Sequence, residues 1–243
     1  MACAQPSAPP SHSARLSLVI DDLGQNLTRD RRVLALPGPV AMAILPDTPH
    51  ATELAREAYT AGKTVMLHLP MDPAEGPFSW HPEQPAAERF ERLDAALRAV
   101  PHARGLNNHM GSRMTADVPV MAGLMNELQR RHLFFLDSRT SASTHAAAEA
   151  QRIGLASLSR DVFLDDDPSP EAIARQFERA VELARRQGSA VMIGHPYPST
   201  LAVLERKLPR LAAQGIEWIE IRQMIAVRGN RAMAAHGKNG YYR

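Results

Sequence analysis

In the stretch "LSLVIDDLG", residues 16–24, five mostly apolar residues lead straight into two adjacent carboxylates, Asp21 and Asp22. Neighbouring acids at the mouth of a buried strand repel each other and resist desolvation, so something must offset that cost, and a bound cation is one candidate. Further donors follow other apolar runs: His68 in "VMLHLPMD", His109 in "GLNNHMGS" and His195 in "VMIGHPYP". One carboxylate and two imidazoles hold a divalent ion, most readily zinc, while leaving positions open for water and substrate. Such an ion polarises a carbonyl and lowers the pKa of bound water. A second carboxylate then serves as general base and a further histidine protonates the leaving group. On this reading Asp22, His68 and His109 are metal ligands, Asp21 is the base and His195 the acid.

Plainer readings stand beside each residue. An Asp ahead of a glycine commonly marks a turn or a helix cap. His68 alternates with apolar residues, as a hydrogen-bonded core histidine would. Asn108, Asp137, Arg139 and Arg160 fall at or just after strand ends and are candidates for substrate contact, although Asp137 in "FFLDSRTS" can equally cap the next segment and Arg160 can pair with Asp161. The aspartates of "FLDDDPSPEA" read as a loop and helix N-terminus, with Ser169 the cap and Pro170 in the first turn, and receive no chemistry. Met42, Met66 and Met71 read as core packing.

The elements that must position these groups alternate. Apolar runs at 16–20, 40–45, 64–69, 105–109, 133–137, 155–158, 190–195 and 216–221 read as strands. Between several of them lie helix-spaced segments such as "HATELAREAYTAG", "AAERFERLDAALRAV", "VPVMAGLMNELQRRH", "PEAIARQFERAVELARRQG" and "STLAVLERKLPRLAAQG", often stopped by glycine. Strand then helix, repeated, predicts an α/β fold with a mostly parallel sheet and right-handed crossovers. No GxGxxG or P-loop follows the first strand, which disfavours nucleotide-binding folds. A distorted or incomplete (β/α) barrel fits better, and such barrels carry their chemistry at the carboxyl ends of the strands, where the acids and histidines above are placed.

Bulk properties narrow the function classes. The 243 residues suffice for one large domain, expected over 15–227 between tails at 1–14 and 228–243. A net charge of +2 gives no argument for a nucleic-acid partner. No apolar run reaches the roughly 20 residues that span a bilayer. The single cysteine, Cys3, can form no internal disulfide. The opening "MACAQPSAPPSHSA" is linker-like and is compatible with a stretch that remains after an export signal or anchor is removed. The oligomeric state is not legible.

The motifs "VIDDLG", "LHLPMD", "GLNNHMGSRMT", "FFLDSRTS", "RDVFLDDD" and "IGHPYPST", in this order over about residues 15–225, resemble the divergent polysaccharide deacetylases of bacterial envelopes, relatives of the NodB-homology deacetylases. The resemblance implies a distorted barrel of that superfamily, metal-dependent hydrolysis of carbohydrate N-acetyl or ester groups, and a periplasmic or otherwise extracytoplasmic location. It implies Asp21 as base, Asp22 and His109 as ligands and His195 as acid. Where that superfamily has a second histidine four residues after the first, this chain has Arg113, and a guanidinium offers a cation no lone pair. His68 is expected to replace it, from its strand-end position alone. Two other readings accompany the hydrolase: a non-catalytic envelope module binding a saccharide or partner, and a metal-dependent hydrolase of a different amide or ester.

Overall fold

The computed structural model describes residues 14–229. Cys3 and nearly all of the expected tails lie outside them. Nine strands form a single sheet: β1 (Ala14–Leu23), β2 (Val40–Ile44), β3 (Thr64–Met71), β4 (Gly105–Met110), β5 (Phe134–Asp137), β6 (Ser157–Ser159), β7 (Val162–Phe163), β8 (Ser189–Gly194) and β9 (Ile216–Trp218). Each of the eight expected runs contains a strand, although β6 overlaps only the end of 155–158 and β9 takes only the first half of 216–221; the two-residue β7 is additional. Helices expected from periodicity are present as α2 (Ala51–Thr60), α3 (Ala86–Ala99), α5 (Val118–Arg130), α7 (Pro170–Gln187) and α8 (Pro198–Lys207). Three more, α1 (Leu27–Ala35), α4 (Ser112–Ala116) and α6 (Ala146–Arg152), are short and were not legible.

Every strand pairing is parallel, in the order β6-β5-β4-β3-β2-β1-β8-β7, with β9 joining β1 along Ala14–Leu16, ahead of where β2 begins its pairing at Leu18. The sheet curls until β6 and β7, consecutive in sequence, stand at its two ends. Only Arg160 and Asp161 bridge this seam: the Arg160 N–H donates to the Asp137 carbonyl on one side, and the Asp161 N–H to that of Val191 on the other. The result is an incomplete (β/α) barrel.

The two-residue period of the strands sorts side chains into two cores. Leu16, Leu18, Ile20, Val40, Met42, Ile44, Leu67 and Met192 face the helices. Val19, Ala41, Ala43, Met66, Phe134, Leu136, Val191 and Ile193 face the interior, which the chain from Ile219 through the helical residues 221–229 closes with Ile221 and Met224. Gly105 lies on the inward face, where the Phe134 ring fills the space a Cβ would need, 2.4 Å away. Continued toward the strand ends, the inward register passes through Asp21, His68, Asn107, His109, Ser138 and His195. On β2 it carries only Ala41 and Ala43, small enough for β1 and β3 to bring their polar ends together across it.

Candidate metal centre and active site

In a regular strand Asp21 and Asp22 would point to opposite faces. The β1–β2 register breaks between Ile20 and Leu23, and Asp22 adopts φ +56°, a left-handed conformation that Asp tolerates better than most residues. Alternation is suspended there, and both carboxylates reach His68: its Nε2 lies 3.7 Å from Asp21 Oδ2 and 3.2 Å from Asp22 Oδ1.

His109 completes a triangle. Its Nδ1 is 2.9 Å from Asp22 Oδ1 and 3.1 Å from His68 Nε2. Among the described residues this trio is the one group of three such side chains able to hold a metal ion. Asp22 Oδ1 is shut off from solvent, yet no donor meets it in hydrogen-bonding geometry. A single proton cannot satisfy three converging acceptor-type atoms, whereas a cation can. Zinc–ligand bonds of about 2.0–2.1 Å at tetrahedral angles separate ligand atoms by ~3.3 Å, close to the distances here. The donor set fits a divalent metal.

One amide orients both His68 and Asp21. Asn107 Oδ1 lies 2.9 Å from His68 Nδ1, and its Nδ2 donates to Asp21 Oδ1 at 2.8 Å and to Ser138 Oγ at 3.2 Å. With its nitrogen committed to a carboxylate and a hydroxyl, the amide presents its oxygen to the imidazole. His68 therefore carries its proton on Nδ1 and offers the Nε2 lone pair to the triangle, as a metal ligand must.

His195 enters from β8, across β1 from His68 and His109, with Nε2 3.7 Å from Asp22 Oδ2. Its Nδ1 pairs with Asp165 Oδ1 at 2.9 Å. Asp165 Oδ2 accepts from the His195 N–H at 2.6 Å and from the Thr200 hydroxyl at 2.7 Å. This corrects the reading of the "LDDD" acids as loop without chemistry. Asp165 is buried and continues the inward register of Phe163, the signal that could have found it; Ser169 and Pro170 do open α7 as expected.

Burial lowers the His195 pKa, but Asp165, together with the charges of Asp21 and Asp22, reverses the sign and raises it. Burial likewise lowers that of His68, and the two aspartates reverse the sign. Burial pushes the Asp21 carboxyl up, against the pull of His68 and His195. At Asp22 burial acts in the same direction, but the two adjacent imidazoles hold the carboxyl far below its ordinary range.

The other expected residues have different placements. Arg113 is exposed and points to Asp72 and Glu83, each at 3.3 Å, away from the triangle. Asp117, four residues after Arg113, caps α5 by accepting from the Val120 N–H. Asn108 and Asp137 brace the loop after β5: Asn108 Oδ1 accepts from the Ser138 N–H, and Asp137 from the Arg139 N–H and the Thr144 hydroxyl. The expected Arg160–Asp161 pair is absent among the contacts of the described residues. Asp161 pairs with Arg228, and Arg160 donates to the Ser138 and Arg139 carbonyls. Asn107, the orienting amide, had no assigned role in the sequence, although it is two residues from His109 on the same face.

Comparison with known proteins places this geometry. The family profile described as divergent polysaccharide deacetylase matches residues 18–225. An uncharacterized Escherichia coli K12 protein, YibQ, is 42% identical over 206 residues; the match covers 83% of this chain and 65% of YibQ, so the chain spans under two thirds of that relative's length. Among solved structures, uncharacterized protein ATU2773 of Agrobacterium tumefaciens C58 superposes with a TM-score of 0.84 at 21% identity, over 89% of this chain and 91% of its own. A mutant of BA3943 from Bacillus anthracis, a CE4 family pseudoenzyme with restored enzymatic activity, superposes at 0.55 with 14% identity, over 88% and 68%. At these identities the two structures speak to the fold alone, a NodB-like incomplete barrel.

Proposed function

The chain belongs to the divergent polysaccharide deacetylase family, and from that premise we propose that it is a metal-dependent hydrolase of N-acetyl, or ester-linked acyl, groups on an envelope carbohydrate, acting outside the cytoplasm. The observation that carries this reading is the triangle of Asp22, His68 and His109, with its partnerless carboxylate oxygen, set between Asp21 and His195. The fold alone does not carry it, because the BA3943 scaffold is described both as a pseudoenzyme and, mutated, as active. The donor set has to.

Asp22 Oδ1, His68 Nε2 and His109 Nδ1 would hold the ion, most readily zinc. When bound, it supplies Lewis-acid polarisation of the acyl carbonyl and acidifies a water. Asp21 is the general base: its carboxyl is buried and raised, and Asn107 Nδ2 fixes Oδ1, leaving Oδ2 to accept the proton of an attacking water. His195 holds its proton through Asp165 and delivers it from Nε2 to the departing amine or alkoxide. Asp165 and Asn107 are positioning residues. Arg113 takes no part, since its charge is engaged outside the triangle.

Zinc titration of the full chain tests the assignment. His68→Ala and His109→Ala are expected to lower zinc affinity to a similar extent, Arg113→Ala to leave it unchanged, and Asp21→Asn to keep zinc while losing turnover of N-acetylated oligosaccharide. Normal zinc binding by His68→Ala would overturn the ligand set, and the non-catalytic module would then become the better reading.

A further inference from the structure

We propose that the groove along the barrel seam is an anion subsite, so that the saccharide hydrolysed carries a carboxylate or phosphate next to its acylated unit; this rests on the hydrolase reading of the adjoining centre. A cavity of about 520 Å³ runs between the β5 loop and α7, lined among others by Ser138, Arg139, Arg160, Phe163 and Arg179. It adjoins the reacting groups on two sides. Ser138 Oγ accepts from Asn107, the amide that holds Asp21 and His68. Phe163 packs edge-on against His195, with ring centres 5.2 Å apart.

Arg160 is built into the groove wall. Its Nε donates to the Ser138 carbonyl at 2.6 Å, its Nη2 to that of Arg139 at 2.9 Å, and its guanidinium lies 4.7 Å over the Phe163 ring. Among the described residues Nη1 meets no acceptor, which leaves both of its protons for a ligand. Arg139 projects from a loop pinned by Asp137, Asn108 and Thr140, at φ +51°. None of Arg139, Arg160 and Arg179 pairs with a carboxylate among the described residues; Arg179 touches only Gln176. Of the two acids on the groove, Asp161 is committed to Arg228 and the Val191 N–H, which leaves the exposed Asp166 facing three arginines. Burial and the Arg139 charge both work against protonated Arg160, a cost that a bound anion relieves. A planar guanidinium with an open edge, fixed in orientation, matches carboxylate or phosphate oxygens in a way a mobile surface lysine does not.

The test is calorimetric binding to zinc-loaded, full-length Asp21→Asn protein. Three probes are compared: an N-acetylglucosamine oligomer, the same length of oligomer bearing a carboxylate ether as in N-acetylmuramic acid, and one bearing a 6-phosphate. At least one anionic probe is expected to bind about tenfold more tightly than the neutral one, with the preference reduced by salt and by Arg139→Gln and abolished in Arg139→Gln/Arg160→Gln. Which anionic probe wins identifies the source of the charge. Because Arg160 also supports the Ser138 loop, the Arg139→Gln single variant, whose side chain makes no such contact, guards against a folding artefact. Equal affinity for neutral and anionic probes, or a preference that survives the double substitution, overturns the proposal. Anion preference without turnover by the native protein would sink the hydrolase reading and leave the subsite; turnover of neutral oligomer without preference would do the reverse.

Discussion

A left-handed backbone at Asp22 decides whether the pair of acids is two surface charges or one half of a reaction centre. With alternation suspended, Asp21 stays inward, where we propose it acts as base, and Asp22 joins two imidazoles. The same economy appears at His195, where Asp165 fixes the tautomer by accepting from Nδ1 and fixes the backbone by accepting from its N–H. Asp165 raises the His195 pKa, and a general acid works only while protonated, so the pair extends activity toward higher pH. Asp165→Asn removes the charge and lets the pKa fall. The alkaline limb of the kcat profile is expected to move to lower pH while zinc affinity is retained; an unmoved limb would mean that His195 is not the acid. These residues were unequally legible. Asp21, Asp22, His68, His109 and His195 each close an apolar run, and that placement gave them away. Asp165 sits in a run of three acids where period two is unreadable without knowing that Phe163 faces inward, and an asparagine such as Asn107 has no chemistry of its own to announce.

At the scale of elements, strands β1, β3, β4 and β8 deliver the site because their inward registers are in phase. Gly105 keeps β4 in that phase: two residues before Asn107 and four before His109, it lies against Phe134, where a methyl group would meet ring carbons at 2.4–2.5 Å. Gly105→Ala is expected to destabilise the protein by about 1–3 kcal/mol, as overpacking of a close-packed interior does, read as a lower urea midpoint at unchanged m-value. Zinc affinity should weaken with it, because β4 moves as a unit. A fully stable Gly105→Ala protein would show that the barrel interior is loosely packed. β1, β2, β3, β5 and β8 were legible because each is a largely buried, mostly apolar run of four residues or more, whereas β6 and β9, at three residues, showed only through the longer runs that overlap them. β7 has only two residues and is defined by its pairing with β8, and α4 and α6, at five and seven residues, are too short to express a helical period. α1 reads "LTRDRRVLA", with Asn26 as cap and Asp30 buried on the Gly24 N–H, a helix held by polar contacts rather than by an apolar stripe.

Across the whole molecule, the seam between β6 and β7 leaves the barrel open beside the centre, and the missing closure has to be made up elsewhere. A metal bound by Asp22, His68 and His109 ties β1, β3 and β4 together at their carboxyl ends, so binding energy that exists only in the folded state becomes folding stability. With zinc at a hundredfold excess over its dissociation constant, linkage supplies about 2.7 kcal/mol. For a chain of this size that corresponds to a rise in Tm of roughly 5–10 °C. The increment should grow with the logarithm of free zinc, disappear with chelator, be lost in His68→Ala and persist in Arg113→Ala. Loss of the increment in His68→Ala distinguishes a site at the strand ends from adventitious zinc on the Asp72 and Glu83 carboxylates that Arg113 contacts. A Tm indifferent to zinc in the native protein would leave Asp22 Oδ1, shut off from solvent, with only its contacts to His68 Nε2 and His109 Nδ1 to offset its burial.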